Sequence, residues 1–350
     1  MTEDIKDIVN KSINAPSGDN AQPWRFVIKN ESLFLYNIPG GDKTVYNYLE
    51  RGSYIAHGAV LENISIISSH KGFSADIKIF PEGSEKDLIA EIRFTKTSPG
   101  NPEFYDEIFF RSTNRKKYKP EKLPRSFFEK IRNYKKEGVN LFGLEDADKI
   151  RELAKLLSLN ERLILENYNI HQPLFSYIRW TKEEEKMHGD GLYIKTLELE
   201  APAEKAFKLF RNWKVIKFLS RFGIPKLVSK DTEKLYATSA AFILLTVENN
   251  APRNYVDAGR VLQKIWLAAT KERIALQPTA ALYYLAARIE DGNVSLFTQE
   301  EINEIKNVHS RTVELFESKG KVAMLFRLGY ADPPSAVSIK KQPEIIVENI

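Results

Sequence analysis

The chain has 350 residues, 43% hydrophobic and 28% charged, with a formal net charge of +5 and no cysteine. This is the composition of an ordinary globular protein, long enough for about two domain-sized units and a sizeable core. It excludes disulfides, thiolate metal sites, iron–sulfur clusters and a cysteine nucleophile.

The acidic start, Met1-Thr2-Glu3-Asp4, leads into no apolar run, and no stretch approaches the ~18 consecutive apolar residues of a membrane span. A cytoplasmic protein without a membrane partner is expected. Ile5 to Ile13 reads as a short helix, interrupted by Pro16 and Gly18. Phe26–Ile28 and Ser32–Tyr36 read as paired strands closed off by Pro39-Gly40-Gly41. Ile55 to His70 reads as an amphipathic helix stopped by Lys71-Gly72. Alternation in Ala75–Phe80 and Leu88–Phe94 predicts two more strands. Ser98-Pro99-Gly100-Asn101-Pro102 is the best linker in the chain.

Beyond that linker the pattern predicts a helix bearing a basic cluster, a helix near Ser126–Tyr134, a strand near Val139–Leu144 and a helical stretch from Ala147 to Asn167. Residues 168–234 mix Trp180, Trp213 and many Phe, Lys and Arg, and read as an inserted, mostly helical segment. Ala240–Val247 is a buried strand by its continuous apolar run, Tyr255–Thr270 a second amphipathic helix and Val322–Leu328 a late strand. A weak internal repeat ties the halves together: Gly58-x-Val60-Leu61-x-x-Ile64 has the spacing of Gly259-x-Val261-Leu262-x-x-Ile265. Two units follow, 1–100 and 101–350, the second carrying the insert.

Charge is unevenly placed. Seven basic residues and one acid lie between Arg111 and Arg125, giving that segment +6 and leaving −1 for the remainder of the +5 chain. A local excess favours one anion site over a broadly basic, nucleic-acid-binding surface. Arg111-Ser112-Thr113-Asn114-Arg115 offers two guanidinium forks, two hydroxyls and turn-prone backbone, the groups that a phosphate requires, although a solvated basic loop fits the same residues. Pro16, Ser17, Gly18 and Asn20 make a tight turn whose amides can approach a planar polar ligand. In the same stretch Gln22 reads as a turn bond and Trp24 as a core aromatic. The five histidines show no metal-ligand spacing, and there is no GxGxxG, Walker loop or nucleophile elbow.

Taken together these segments resemble the nitroreductase-fold flavoproteins. APSGDNAQPWRF is similar to that family's flavin-edge turn, RSTNR to its Arg-x-Ser/Thr-x-Arg/Lys phosphate motif, and DAGRVLQKIWLAATKERIALQPTAALY to its long interface helix and following loop. VAMLFRLGYADPP resembles the closing strand and SIKKQP the basic tail. The turn precedes the phosphate motif, an order similar to the Acg-like branch, in which two degenerate halves are fused.

The resemblance implies an α+β fold built as an intramolecular pseudo-dimer, with helices packed around antiparallel-rich sheets. It implies a monomer with one FMN site and NADH or NADPH as candidate reductant. Pro16, Ser17, Gly18, Asn20 and Gln22 would contact flavin and ribityl; Arg111, Ser112, Thr113 and Arg115 phosphate and pyrimidine; Leu276, Gln277, Pro278 and Thr279 the ring. Lys340 or Lys341 would complete the phosphate pocket, with Arg327 a further candidate. Arg115 is the expected catalytic residue, stabilising negative charge on the ring by preorganised electrostatics. Hydride transfer through flavin N5 to an unidentified acceptor is the expected chemistry. The alternative is an FMN-sequestering protein, with residues 168–234 as a lid whose Trp180, Trp213, Phe207, Phe210, Phe218 and Phe222 cover the flavin. The Ala275-Leu276-Gln277-Pro278 stretch departs from the family's glycine-rich loop.

Overall fold

The computed structural model describes residues 1–83 and 85–348. In chain order, α1 (Thr2–Ser12) leads through a turn to β1 (Trp24–Lys29) and β2 (Ser32–Asn37). Then come α2 (Arg51–His70), β3 (Phe73–Ile79) and β4 (Leu88–Lys96). The second part opens with α3 (Glu107–Phe110), α4 (Arg125–Ile131), β5 (Val139–Leu144), α5 (Ala147–Leu157) and α6 (Leu159–Glu166). The insert contains α7 (Tyr168–Tyr177), β6 (Ile178–Arg179), α8 (Lys182–His188), β7 (Leu192–Tyr193), α9 (Ala201–Phe210), α10 (Trp213–Ser220) and α11 (Ile224–Tyr236). The chain closes with β8 (Ala241–Val247), α12 (Pro252–Lys271), β9 (Ala275–Pro278), α13 (Ala281–Glu290), α14 (Gln299–Leu315), β10 (Lys321–Gly329) and β11 (Glu344–Glu348).

The architecture is the expected α+β arrangement of helices around antiparallel-rich sheets. One sheet has the order β11-β1-β2-β4-β3 and the other β5-β8-β10-β9. The four-stranded sheet is antiparallel throughout. In the five-stranded sheet only β11 is parallel to its neighbour, pairing Phe26 with Ile345 and Ile28 with Val347. The last strand of the chain thus completes the sheet of the first half, and this pairing draws the tail before it across the Pro16–Pro23 turn.

Between the sheets lie α2 and α12, both 20 residues long. They meet backbone to backbone. A Cβ on Gly58 would stand 1.9 Å from the Val256 carbonyl oxygen, and one on Gly259 would stand 2.1 Å from that of Ile55. The relation is reciprocal, since Ile55 and Val256 each lie three residues before the glycine of their own helix. An isologous two-fold contact has this form, here within one chain. Glycine is required because any side chain would part the helices. Arg260 and Glu62 pair across the seam at 2.9 Å, and the Gln263 amide donates to Asn63 Oδ1 at 2.7 Å.

Two predicted features differ. α2 is buried on nearly every face, His57, Glu62 and Asn63 included, because α1, β3 and α12 all pack on it. The basic cluster forms no helix. α3 ends at Phe110, and residues from Arg111 to Pro124 run in extended and turn conformation. Ser112-Thr113-Asn114 favours turns, and Pro120 and Pro124 cannot continue a helix. The segment's backbone is used elsewhere: Asn114 N donates to the Leu276 carbonyl (3.0 Å) and Lys119 N to that of Tyr330 (2.7 Å).

Candidate functional site

The opening turn holds three non-glycine residues in the left-handed region: Asp19 (φ 42°), Asn20 (φ 59°) and Gln22 (φ 55°). Such backbone costs of order 1 kcal/mol or more per residue and persists only where its surroundings over-determine it. Here they do. Gln22 is fully buried. Its side chain donates to the carbonyls of Asn20 (3.0 Å) and Gly189 (2.8 Å), and accepts from Lys341 N at 3.1 Å. Turn, insert and tail are thereby clamped on one amide. The Asn20 amide donates to the Ile339 carbonyl at 2.9 Å, and Glu185 accepts from Ile339 N at 3.1 Å.

Turn and tail enclose a cavity of about 420 Å³ together with α2, the Arg111–Arg115 segment, α12 and the residues after β9. Arg111 stands with its guanidinium 4.5 Å from the centre of the Trp266 ring and donates to the Asn14 carbonyl at 3.0 Å. Its buried Nε has no partner among the described residues. The Lys340 ammonium donates to the Ala15 carbonyl and to Asn20 Oδ1, both at 2.9 Å. Arg115 donates to the Thr196 carbonyl at 3.0 Å. All these acceptors are neutral. Burial pushes Arg111 down to about 10. Burial, then the charge of Arg111, holds Lys340 well below the ordinary lysine range. Arg115 is also lowered, chiefly by burial. Uncompensated cations in a protein interior are costly unless an anion joins them.

The same cavity carries carboxyls that residue types and spacing do not single out. Burial, and then the neighbouring charge of Asp42, raises Asp19 to about 7 against the pull of Arg115. Burial likewise raises Glu161 to about 7, and its Oε2 has no hydrogen-bond partner among the described residues. Asp42 is raised by burial although it accepts from Thr44 N at 2.9 Å. Beside them the Tyr46 hydroxyl donates to Asn160 Oδ1 at 3.2 Å. The cavity therefore combines positively charged groups with carboxyls that can be neutral and hydrogen-bonding at the same pH. Ile55, Ala56, Leu262, Leu282 and Met324 supply apolar lining.

Of the predicted site residues, Pro16, Ser17, Gly18, Asn20, Arg111, Ser112, Thr113, Arg115, Gln277, Pro278, Thr279 and Lys340 line this one cavity. The other four stand behind it. Gln22 is the clamp described above. Leu276 is buried in the core. Arg327 is fully buried, 3.9 Å from the Tyr118 ring centre, and donates to Gln277 Oε1 (2.8 Å) and the Lys116 carbonyl (2.8 Å). It orients Gln277 from outside the wall. Lys341 donates to the Ala21 carbonyl at 3.3 Å.

The insert's aromatic rings are not a cover. Trp180, Phe207, Phe210 and Trp213 pack with Phe175 and Ile216 in a small core of their own, while Phe218 and Phe222 are exposed. The insert reaches the cavity through Leu174, Leu192 and Thr196 instead. Its Gly189, at φ 65°, lies so close to the tail that a Cβ would stand 2.8 Å from that of Lys341.

No protein-family model matches the chain. An uncharacterized protein of Mycobacterium tuberculosis (strain CDC 1551 / Oshkosh) is 23% identical over 344 residues, 97% of this chain and 48% of the relative. A putative NAD(P)H nitroreductase, acg, from the same organism is 28% identical over 119 residues, 33% of this chain and 35% of the relative. A further uncharacterized protein from strain ATCC 25618 / H37Rv is 23% identical over 343 residues, 95% of this chain and 88% of the relative. The chain thus spans about half the length of the first relative and about a third of the nitroreductase. Among solved structures, a nitroreductase with bound FMN from Bacteroides fragilis aligns with a TM-score of 0.36 and 13% identity, covering 69% of this chain and 95% of that one. The FMN-dependent nitroreductase NfnB from Mycobacterium smegmatis, in complex with NADPH, aligns with a TM-score of 0.37 and 15% identity, covering 67% and 92%.

Proposed function

We propose that the chain binds one FMN in this cavity and acts as a two-electron oxidoreductase of the nitroreductase type, with NADH or NADPH as hydride donor. One observation carries the reading: Arg111 and Arg115 from one segment and Lys340 from a distant one line a single cavity and bond only neutral acceptors among the described residues. The residues fit the cofactor. A dianionic phosphate would answer Arg111, whose Nε is unpartnered, and Lys340, with the Ser112 and Thr113 hydroxyls as short donors. Apolar lining suits a planar ring, and the volume lies in the range of ~300–1,000 Å³ usual for cofactor pockets. The partial similarity to a putative NAD(P)H nitroreductase supports the same class.

Bound FMN supplies hydride acceptance and donation at N5. The chain's own contribution is to bind, orient and polarise. The strained turn fixes the Asn20 side chain and the amides around it, Arg115 offers a preorganised positive charge on the ring side, and Trp266 holds Arg111 in place. A neutral Asp19 leaves Arg115 uncompensated, so its charge is available to the ligand. The chain is proposed to work as a monomer in which the α2–α12 seam stands where two subunits would meet, the two halves being fused, degenerate copies of one unit. With the insert's rings packed elsewhere, the observation that motivated a flavin store is gone. Protein purified natively should be yellow and release FMN on denaturation. A colourless protein that also fails to take up added FMN would refute the reading.

A further inference from the structure

The outer surface of the insert has no part in the cavity. Between Lys205 and Lys230 there are eight basic residues and no Asp or Glu. Among the described residues only Lys208 of these has a carboxylate, Glu204, within ion-pair distance. The same stretch exposes four large apolar side chains: Leu209 (62% exposed), Phe218 (56%), Phe222 (69%) and Leu227 (55%). On α10 the exposed Lys214, Lys217 and Phe218, followed by Arg221 at its C-terminal cap, recur at helical spacing, while Ile216 is buried and Trp213 and Leu219 pack on the insert's small core. The helix has spent its inward face on that core, and its outward face still carries rings. Phe218 and Phe222 touch edge to face, with centroids 5.3 Å apart.

We propose that this face, formed by α9, α10 and α11, docks on an anionic lipid surface. Phe218 and Phe222 enter the boundary between headgroups and acyl chains, and the flanking lysines and arginines lie among anionic headgroups. Charge complementarity selects this occupant. A second copy of the chain would set like charge against like charge across a self-complementary contact. A nucleic acid would use the cations and could stack on the phenylalanines, but it leaves Leu209 and Leu227 without a role. An acidic bilayer uses both classes of side chain, and lysine stems can lie along its apolar boundary. No helix among the described residues is long and apolar enough to cross a membrane, and surface association requires none.

The full chain is sedimented with vesicles of phosphatidylcholine alone and of phosphatidylcholine with phosphatidylserine. It should partition at least ~tenfold more strongly to the phosphatidylserine vesicles, and added salt should weaken that binding. Phe218→Ser with Phe222→Ser, and separately Lys214→Glu with Lys217→Glu, should each lower partitioning ~tenfold while circular dichroism and FMN content stay unchanged. Equal, weak binding to both vesicle types overturns the proposal. So does a double variant that binds as well as the parent. A parent that dimerises through this face, becoming monomeric when Phe218 and Phe222 are replaced, would assign the patch to a second copy. Preferential binding to a nucleic acid duplex would assign it there.

Discussion

Two sets of groups lining the cavity bury charge of opposite sign and resolve the cost differently. Arg111, pushed down to about 10, still carries its charge at neutral pH. Asp19 and Glu161, pushed up to about 7, can give theirs away by taking a proton. Burial is the main cause in both sets, yet a guanidinium keeps a standing demand for an anion while a carboxyl becomes a neutral donor. The cationic set therefore points to a ligand more strongly than the acidic one, although both are equally enclosed.

The largest effect that tests this contrast is on stability against pH. Both carboxyls titrate above the ~4 of an unfolded chain, so between about pH 4 and 7 they hold more protons in the folded state and their contribution to stability falls as pH rises. Buried His57, lowered to about 3, contributes a slope of the opposite sign. Each carboxyl contributes up to ~1.4 kcal/mol per pH unit, several kcal/mol across that window. Urea unfolding of the FMN-free parent and of Asp19→Asn with Glu161→Gln should differ by this slope, the variant gaining stability relative to the parent as pH rises. A pH slope that the double variant leaves unchanged would place both groups among ordinary ionised carboxylates.

Next in size is the seam that supports both sets, since Ile55 and Ala56 of α2 and Leu262 and Trp266 of α12 all line the cavity. Gly58→Ala puts a carbon where the Val256 carbonyl stands and should cost about 3 kcal/mol or more. A denaturation midpoint close to the parent's would mean that the helices are not in backbone contact. Arg111→Ala should then weaken FMN binding by ~1.5–3 kcal/mol, tenfold to a hundredfold, with the fold intact. Unchanged affinity would return the segment to a basic loop. Smallest of all, Glu161→Gln should change FMN affinity by less than ~0.7 kcal/mol, because the amide keeps a neutral donor. A loss matching that of Arg111→Ala would erase the distinction between the two sets.

The sequence made the cationic set legible and hid the acidic one, for physical reasons. Arg111–Arg115 and the Pro16–Asn20 turn are local, so residue types and spacing carry them. Glu161 sits within a helix like any solvated glutamate, and only the packing of α6 encloses it. Arg327 and Lys341 are cationic, yet one orients Gln277 and the other braces the turn, a distinction of about one residue's depth that sequence does not encode. Among elements, β8 and β10 were plain from their apolar runs, and Val139–Leu144 from its own pattern. By contrast β11, Glu344–Glu348, is largely exposed and becomes a strand only by pairing with β1. The helix α14 did carry a readable start, the Thr298 and Glu301 capping box. The apolar spacing before Arg111 is helical, but Pro120 and Pro124 keep the basic cluster itself from continuing that helix.

The claim that a phosphate belongs between Arg111 and Lys340 can be measured without turnover. Calorimetric titration of the FMN-free protein with FMN and with riboflavin, which lacks the phosphate, isolates that group. FMN should bind at least ~tenfold to a hundredfold more tightly, with the advantage largely lost in Arg111→Ala. Equal affinity for the two flavins, or an advantage that Arg111→Ala leaves intact, would contradict the account.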